Sequence, residues 1–244
     1  MSFDKAGAVL DVRIRHRVGV LALDVAFSLT QSWTVLFGPS GSGKTTVLRA
    51  IAGFVKPDTG KISLGDLVLV DCAAGTFVPA HARPVRSAGQ SARLFPHISV
   101  RGNVLYGAGG DAGDLAAEVM ALFRVAGLGE RMPRELSGGE RERVSAARAV
   151  VAAASFAGAG KALLLLDEPF AGLDTALRDE LLVALRDWLS RRGIPVLSVT
   201  HDVGEAFQLG AEVIRIADGR VVAQGPVGQV LAEERMRLLG QLQG

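Results

Sequence analysis

Cysteine is nearly absent. Cys72 is the single cysteine in 244 residues, so no intramolecular disulfide can form and a small, disulfide-stapled secreted fold is excluded. A reducing, cytosolic setting fits, and Cys72 reads as inert. An excess of one charge is missing too: 27 Lys and Arg stand against 25 Asp and Glu, a net charge of +2. The basic residues, five Lys and 22 Arg, are spread along the chain with no block, so nucleic acid is not indicated as a partner. Long apolar runs are also lacking. Hydrophobic residues make up 49% of the chain and the mean hydropathy is +0.31, yet no run approaches the roughly 18 to 20 uninterrupted apolar residues of a spanning helix. The best candidate, Val144 to Gly160, is built from Ala and Gly and is interrupted by Arg148. Met1-Ser2-Phe3-Asp4-Lys5 has no apolar core of a signal peptide. If the protein works at a membrane, another chain must do the spanning. There is no internal repeat and no low-complexity tail, and the length suits one large domain or a core with a subdomain.

What is present is organised around Gly38-Pro39-Ser40-Gly41-Ser42-Gly43-Lys44-Thr45. This fits the phosphate-binding pattern G-x-x-x-x-G-K-[ST], with apolar Thr34-Val35-Leu36-Phe37 before it and the helix-compatible run Thr46 to Ala52, closed by Gly53, after it. Glycines let backbone N–H groups approach phosphate oxygens that a Cβ would hold away, and the helix start adds partial positive charge. Lys44 then reaches the β- and γ-phosphates, and the Thr45 hydroxyl ligates the Mg²⁺ that bridges them. The alternative is a glycine-rich surface turn with a solvated lysine.

Upstream, residues 8 to 36 read as a β layer: Val9 to Ile14 alternates and Val18 to Leu29 carries a second β-rich pattern. Downstream, Lys56-Pro57-Asp58-Thr59-Gly60 reads as a turn. Ile62 to Leu69 reads as a hairpin around Gly65-Asp66, and Val78 to Pro84 as an irregular link. From Gln90 the texture becomes helical, with Leu94-Phe95-Pro96-His97, a glycine-broken stretch from Arg101 to Gly113, and a helical run from Leu115 to Val125. The insertion, residues 90–154, closes with Leu136-Ser137-Gly138-Gly139-Glu140 and an Ala- and Arg-rich helix from Arg141 to Ala154. Ser137 and Glu140 have the spacing of a capping box. The same geometry, with free N–H groups on Gly138 and Gly139, makes an anion-binding helix start. Both readings stand on the residues alone.

Lys161 to Leu166 runs apolar into Asp167-Glu168-Pro169, as a parallel strand buried on both faces does. Ligands of open α/β sheets sit at the carboxyl ends of strands. Asp167 suits the surroundings of Mg²⁺, and Glu168, expected on the other side of the strand, suits polarising a water for in-line attack on the γ-phosphate. The alternative is an acidic turn after a core strand. Ile194 to Thr200 is another buried strand, delivering His201-Asp202 to the same edge; a lone His at a strand end commonly reads as structural, and its place beside the other strand ends favours a γ-phosphate contact. Val213 to Ile216 and Arg220 to Ala223 flank Asp218-Gly219, a hairpin signal.

The phosphate loop, Gln90, Leu136 to Glu140, Leu163 to Glu168, Ala171-Gly172-Leu173-Asp174 and His201 stand in one order, and that order resembles the ATP-binding-cassette (ABC) ATPases. The resemblance covers nearly the whole chain. It implies an α/β P-loop NTPase of the ABC type, with a mostly parallel core sheet, an N-terminal antiparallel β subdomain and a helical insertion. The core would be residues 1–89 and 155–244, and the helical subdomain residues 90–154. The implied nucleotide contacts are Gly38, Pro39, Ser40, Gly41, Ser42, Gly43, Lys44, Thr45 and Thr46, with Ser137, Gly138, Gly139, Glu140 and Asp174 acting across a head-to-tail homodimer that sandwiches two ATP molecules. Thr45, Gln90 and Asp167 are the implied Mg²⁺ set; Lys44, Glu168 and His201 the catalytic one.

Within that superfamily, Gln90 to His97, Val100 to Val104, Tyr106-Gly107 and Phe77-Val78-Pro79 look like the molybdate-importer ATPases, although importers of sulfate, iron, polyamines and sugars share Leu-Phe-Pro-His. The partners so implied are membrane-spanning permease subunits, through them a solute-binding protein, and no nucleic acid. The place of work is the cytoplasmic face of the inner membrane. Three features depart from the pattern. Ser87-Ala88-Gly89 stands in place of the apolar strand that leads into the glutamine. His16 is the nearest candidate to stack on adenine. The chain stops at Gly244 after a short helical end, so no C-terminal oxyanion-binding domain is expected. A soluble cassette protein acting on DNA or the ribosome is the competing reading, but Lys44 and Ser137 are separated by no long coiled coil, and only one cassette is present. A P-loop kinase has no use for Ser137 to Glu140.

Overall fold

The computed structural model describes residues 9–89, 93–156 and 162–242. In chain order its elements are β1 (Leu10–Val18), β2 (Leu21–Leu29), β3 (Trp33–Phe37), α1 (Lys44–Ala52), β4 (Thr59–Leu64), β5 (Leu67–Asp71), β6 (Thr76–Phe77), β7 (Val85–Ala88), α2 (Val100–Leu105), α3 (Gly113–Leu122), α4 (Gly138–Ala154), β8 (Leu163–Asp167), α5 (Thr175–Arg192), β9 (Val196–Thr200), α6 (Val203–Leu209), β10 (Glu212–Ala217), β11 (Arg220–Pro226), α7 (Val227–Val230) and α8 (Ala232–Leu242). The chain divides into two compact units, Met1–Arg83 with Val199–Gly244, and Pro84–Ser198.

In the first unit the strands lie in the order β6-β5-β4-β1-β2-β11-β10-β3. Pairing is mixed: β1 runs antiparallel to β2 and β4, whereas β3 with β10 and β2 with β11 are parallel. The alternation in sequence sets which face is buried. Leu10, Val12 and Ile14 of β1 and Leu23, Val25, Phe27 and Leu29 of β2 are buried, with Arg13, Arg15, Asp24 and Ala26 exposed between them. All five residues of β3 are buried, as a strand covered on both faces requires. The β10–β11 hairpin turns at Asp218 and Gly219, both with left-handed backbone (φ 47° and 75°). Gly219 is also required for clearance, because a Cβ there would overlap the Ala22 carbonyl oxygen, and the Gly219 carbonyl accepts the Asp24 N–H at 2.8 Å. A register shift interrupts this hairpin between Arg215 and Ile216. Gly60 has the positive φ expected where the turn exits (111°), although strand β4 already begins at Thr59.

The irregular link of residues 78–84 has a function in the fold that no pattern announced. Arg83 is 1% exposed, and its guanidinium donates from Nη1 to the carbonyls of Ala50 (2.8 Å) and Ile51 (2.7 Å) and from Nε to that of Val78 (2.7 Å). It also lies 5.1 Å from the centroid of the Phe77 ring. A cation thus closes the negative end of α1, the helix that leaves the phosphate loop, by satisfying the last-turn carbonyl of Ile51 and joining the Gly53 N–H (3.2 Å) on that of Ala50.

In the second unit the first part of β9 (Val196 to Ser198), β8 and β7 are neighbours in that order. Ser87 and Ala88, two of the three residues that stand in place of an apolar strand before Gln90, lie in a strand all the same: Val85 to Ala88 forms β7, parallel to β8 in the register Val85↔Leu163 through Ala88↔Leu166, with Val85 and Ala88 buried. A small Ala at the inward position suffices because the strand needs backbone pairing and a close neighbour more than apolar bulk. Helix α4 packs on β7, β8, α2 and α3. The helical run expected to reach Val125 ends at Leu122, because Arg124 takes a left-handed φ of 55°. Helix α3 is tied to α5 by Glu118, which accepts from Trp188 Nε1 (2.8 Å) and Arg192 Nη2 (2.7 and 2.9 Å). Asn103, fully buried, accepts the Phe95 N–H (2.8 Å) and donates to the carbonyls of Phe95, Ile98 and Ser99 (each 3.1 Å), so one side chain shapes the Leu-Phe-Pro-His loop. Phe95 is half-buried, neither core nor fully exposed, between Tyr106 (centroids 4.1 Å apart) and the Arg148 guanidinium (5.4 Å).

Candidate functional site

In the first unit, strand β3 delivers Gly38 and helix α1 begins at Lys44. Gly38 must lack a side chain, since a Cβ would overlap the carbonyl oxygen of Ile216 in β10. Gly43 caps α1 with φ 103° and offers no side-chain hydrogen bond to the helix start. The first N–H to find a helical acceptor is that of Val47, bonded to the Gly43 carbonyl at 3.0 Å. No acidic residue stands in the first turn, so the positive end of the helix dipole is uncompensated by side chains. Lys44 is 7% exposed, and its ammonium donates to the Gly38 (2.7 Å) and Pro39 (2.9 Å) carbonyls, which hold it across the loop. Ser42 Oγ is buried with no hydrogen-bond partner among the described residues. Thr45 is exposed and Thr46 half-buried at the helix start, while Pro39, Ser40 and Gly41 form the exposed rim.

These observations test the fit of a polyphosphate. An orphaned hydroxyl, an uncapped helix start, a glycine lining and a fixed ammonium together form an anion cradle, and the donor set fits phosphate oxygens. Among the described residues no group of three or more His, Cys, Asp or Glu forms a cage of its own. A cation held by a hydroxyl and the substrate's phosphates has no need of one. His201 lies in the same unit, exposed, directly after β9; Asp202 beside it caps α6 by accepting the Glu205 N–H at 3.1 Å.

The Nδ1 of His16, the adenine candidate, lies 3.1 Å from Asp58 Oδ1, and Asp58 also accepts the Arg17 N–H at 2.9 Å. The Arg17 N–H, with the His16 ring, holds the Asp58 carboxyl below its usual range. Gln90 lies outside the described residues, as do Ser91 and Ala92.

In the second unit, Asp167 ends β8 and is 9% exposed. Glu168 follows with φ 49°, a left-handed backbone on a non-glycine residue. That conformation costs about 1–2 kcal/mol relative to the right-handed region, and such strain persists only where the surroundings impose it. Glu168, expected on the other side of the strand, thus stands just past the end of β8 on a strained turn. Asp174 caps α5, accepting the Leu177 N–H at 2.9 Å.

The capping reading of Ser137 is visible in full. Ser137 Oγ accepts the Glu140 N–H (3.2 Å) and Glu140 Oε2 accepts the Ser137 N–H (2.7 Å). The Ser137 N–H, helped by the Ser137 side chain, holds the Glu140 carboxyl below its usual range. Two further contacts join this helix start to the β8–α5 loop: Glu142 Oε2 accepts the Gly172 N–H at 3.1 Å, and Gly139 lies against Leu173 so closely that a Cβ would come within 2.6 Å of Leu173 Cδ2. Glu142 carried no sequence signal, because a Glu in the second turn of a polar helix reads as a solvated face. Arg83 carried none either.

A loop-and-helix cradle of this kind is consistent with the fold class of the P-loop proteins. Residues 23–171 match the ABC transporter family model, and the chain belongs to that family. Three relatives bear the name molybdenum import ATP-binding protein ModC. That of Mesorhizobium japonicum is 42% identical over 232 residues, covering 93% of this chain and 60% of the relative. That of Rhizobium meliloti is 40% identical, with 92% and 62% covered, and that of Rhodopseudomonas palustris 41%, with 92% and 59%. The chain thus spans about three fifths of the length of the relatives it matches. Among its described residues no helix is long and apolar enough to cross a membrane.

Proposed function

We propose that this chain is the ATP-hydrolysing subunit of an ABC importer that powers uptake of a small solute, molybdate or a related oxyanion. The observation that supports it most is the loop itself, in which a buried Lys44 ammonium held by the Gly38 and Pro39 carbonyls, a start of α1 without a side-chain cap and a buried Ser42 hydroxyl without a partner among the described residues lie within seven residues of one another. The names of the relatives favour molybdate over sulfate, iron or polyamines.

In this reading Gly38 to Thr46 hold the ATP phosphates, with Lys44 as their fixed counter-charge. Thr45, Asp167 and Gln90 hold Mg²⁺, which when bound neutralises phosphate charge. Glu168 accepts the proton of the attacking water, and the strain at its backbone supports that assignment. His201 contacts the γ-phosphate. Ser137, Gly138, Gly139, Glu140 and Asp174 act across a homodimer. The partners are permease subunits and, through them, a solute-binding protein, at the cytoplasmic face of the inner membrane; nucleic acid is not a partner. The core is residues 1–89 and 155–244, with parallel pairs such as β7 with β8 and β3 with β10, an antiparallel β layer, and a helical subdomain of residues 90–154.

The test is ATP hydrolysis by the purified chain, followed by uptake of labelled molybdate, sulfate or iron into vesicles bearing this chain and its permease. MgATP turnover with molybdate uptake supports the reading in full. Uptake of another solute overturns molybdate alone, and a chain without ATPase activity overturns the whole.

A further inference from the structure

The seven residues from Glu168 to Asp174 link β8 to α5, and they are anchored at three points. Phe170 is 1% exposed and packs with its ring centroid 6.0 Å from that of Phe123. Asp174 caps α5. Between these anchors, the exposed Gly172 gives its N–H to Glu142 in the second turn of α4. The close approach depends on the absence of a side chain: a Cβ on Gly172 would lie 2.7 Å from Glu142 Oε1 and 3.1 Å from both Cδ and Oε2. Leu173 closes the seam on the other side by lying over Gly139. All of these residues belong to the unit Pro84–Ser198.

We infer that Glu142 is a positioning residue: its carboxylate latches the loop that runs from Glu168 to Asp174 onto the start of α4, so that Ser137–Glu140 and Glu168 are held as one body. The inference rests on the proposed ATPase reading for its catalytic consequence, but the latch itself does not. A charged acceptor on a backbone N–H is the stronger class of hydrogen bond, and without it the loop between Phe170 and Asp174 keeps no polar tie to α4 among the described contacts. Losing the latch leaves the phosphate cradle intact, and the Ser137–Glu140 box stays closed by its own two hydrogen bonds, so the displaced element is the loop that carries Glu168 and the effect belongs on kcat and not on the KM for ATP.

The test uses the full chain and three variants. Glu142→Ala removes the acceptor. Glu142→Gln keeps an oxygen that can accept the Gly172 N–H. Gly172→Ala puts a methyl where Glu142 stands, and Gly172 has no positive φ to strain it. Glu142→Ala and Gly172→Ala should each lower kcat by about tenfold, the equivalent of one hydrogen bond to a charged group, with KM unchanged, while Glu142→Gln stays within about threefold of wild type. The double variant should be no slower than either single one, because the methyl of Gly172→Ala meets empty space once Glu142 is gone. In parallel, amide exchange at Gly172 should accelerate by about tenfold in Glu142→Ala, with the amides of α4 and α5 unchanged. Additive losses in the double variant, a raised KM, or unaltered exchange at Gly172 overturn the latch. If the wild-type chain hydrolyses no ATP, the ATPase reading fails while the exchange measurement still decides on Glu142.

Discussion

Replacing Arg83 with Ala should destabilise the unit that carries the phosphate loop by about 3 kcal/mol. Three carbonyls, those of Ala50, Ile51 and Val78, lose a charged donor at 2.7–2.8 Å, and hydrogen bonds to charged groups contribute about 1.5 kcal/mol each at the lower end of their range. The Phe77 ring loses a cation at 5.1 Å, about 0.5 kcal/mol more. Against this sum of roughly 5 kcal/mol stands the relief of a guanidinium desolvated by burial, about 2 kcal/mol. Urea denaturation followed by circular dichroism measures the difference directly. For a chain of this size the loss should appear as a melting temperature lowered by roughly 6–12 °C. Arg83→Lys should recover less than half of the loss, because one ammonium cannot bridge carbonyls on two sides of the planar fork. A change below about 0.5 kcal/mol for Arg83→Ala, or a lysine variant as stable as wild type, would refute the argument that a buried cation closes α1.

Four shorter expectations follow from the cradle, the turn at Glu168, the loop around Phe95 and the cap of α4. Lys44→Ala should abolish ATP binding in a calorimetric titration, and an unchanged Kd would remove the phosphate-loop assignment. Glu168→Gln should bind MgATP normally but turn over at least about a hundredfold more slowly, with ATP-loaded dimers accumulating on a sizing column; wild-type turnover would place the base elsewhere. The half-buried Phe95, beside the helix-breaking Pro96, offers apolar surface on which a short helix of the permease would dock; Phe95→Asp, checked for folding by thermal melting, should then keep ATPase activity in solution but lose co-purification with the permease, and intact association would make Phe95 a packing residue of the helical subdomain. Because the folded Glu140 carboxyl is held below its usual range, its contribution is complete above the ordinary carboxylate pKa and is lost as pH falls through the folded value. Glu140→Gln should therefore flatten the acid limb of stability, seen in urea midpoints between about pH 5 and 3, and an unchanged acid limb would exclude the Ser137 cap as its source.

The legible parts were those in which local pattern and final environment coincide. The phosphate loop, the alternating β1 and β2, the Asp218-Gly219 hairpin and the Ser137–Glu140 box each declare themselves within a few residues, because turn chemistry, capping and one-face burial act locally. Strand β7 was harder: Ser87 and Ala88 have no apolar bulk, and the strand exists because β8 offers it a parallel partner. Helix α5 has no counterpart among the expectations, although its buried Leu181, Leu182, Leu185, Trp188 and Leu189 follow a helical period and Asp174 and Gly193 cap its ends. Arg83, Asn103 and Glu142 were illegible for a different reason. Each bonds to backbone groups that nothing in the neighbouring sequence identifies, so their importance arises only once distant segments have met.

The register shift at Ile216 extends this lesson to the loop itself. It sits in the hairpin at the residue whose carbonyl fills the space a Gly38 side chain would need, so the resting place of the phosphate loop is fixed from a strand nearly 180 positions downstream. A one-residue deletion in the hairpin that erased the shift would turn that carbonyl aside and unseat Gly38. Nucleotide affinity would then fall in a protein whose glycines, lysine and threonines were all untouched. Random mutagenesis scored by ATP binding should accordingly find a second cluster of sensitive positions around Arg215 and Ile216, with no ligand contact to explain it.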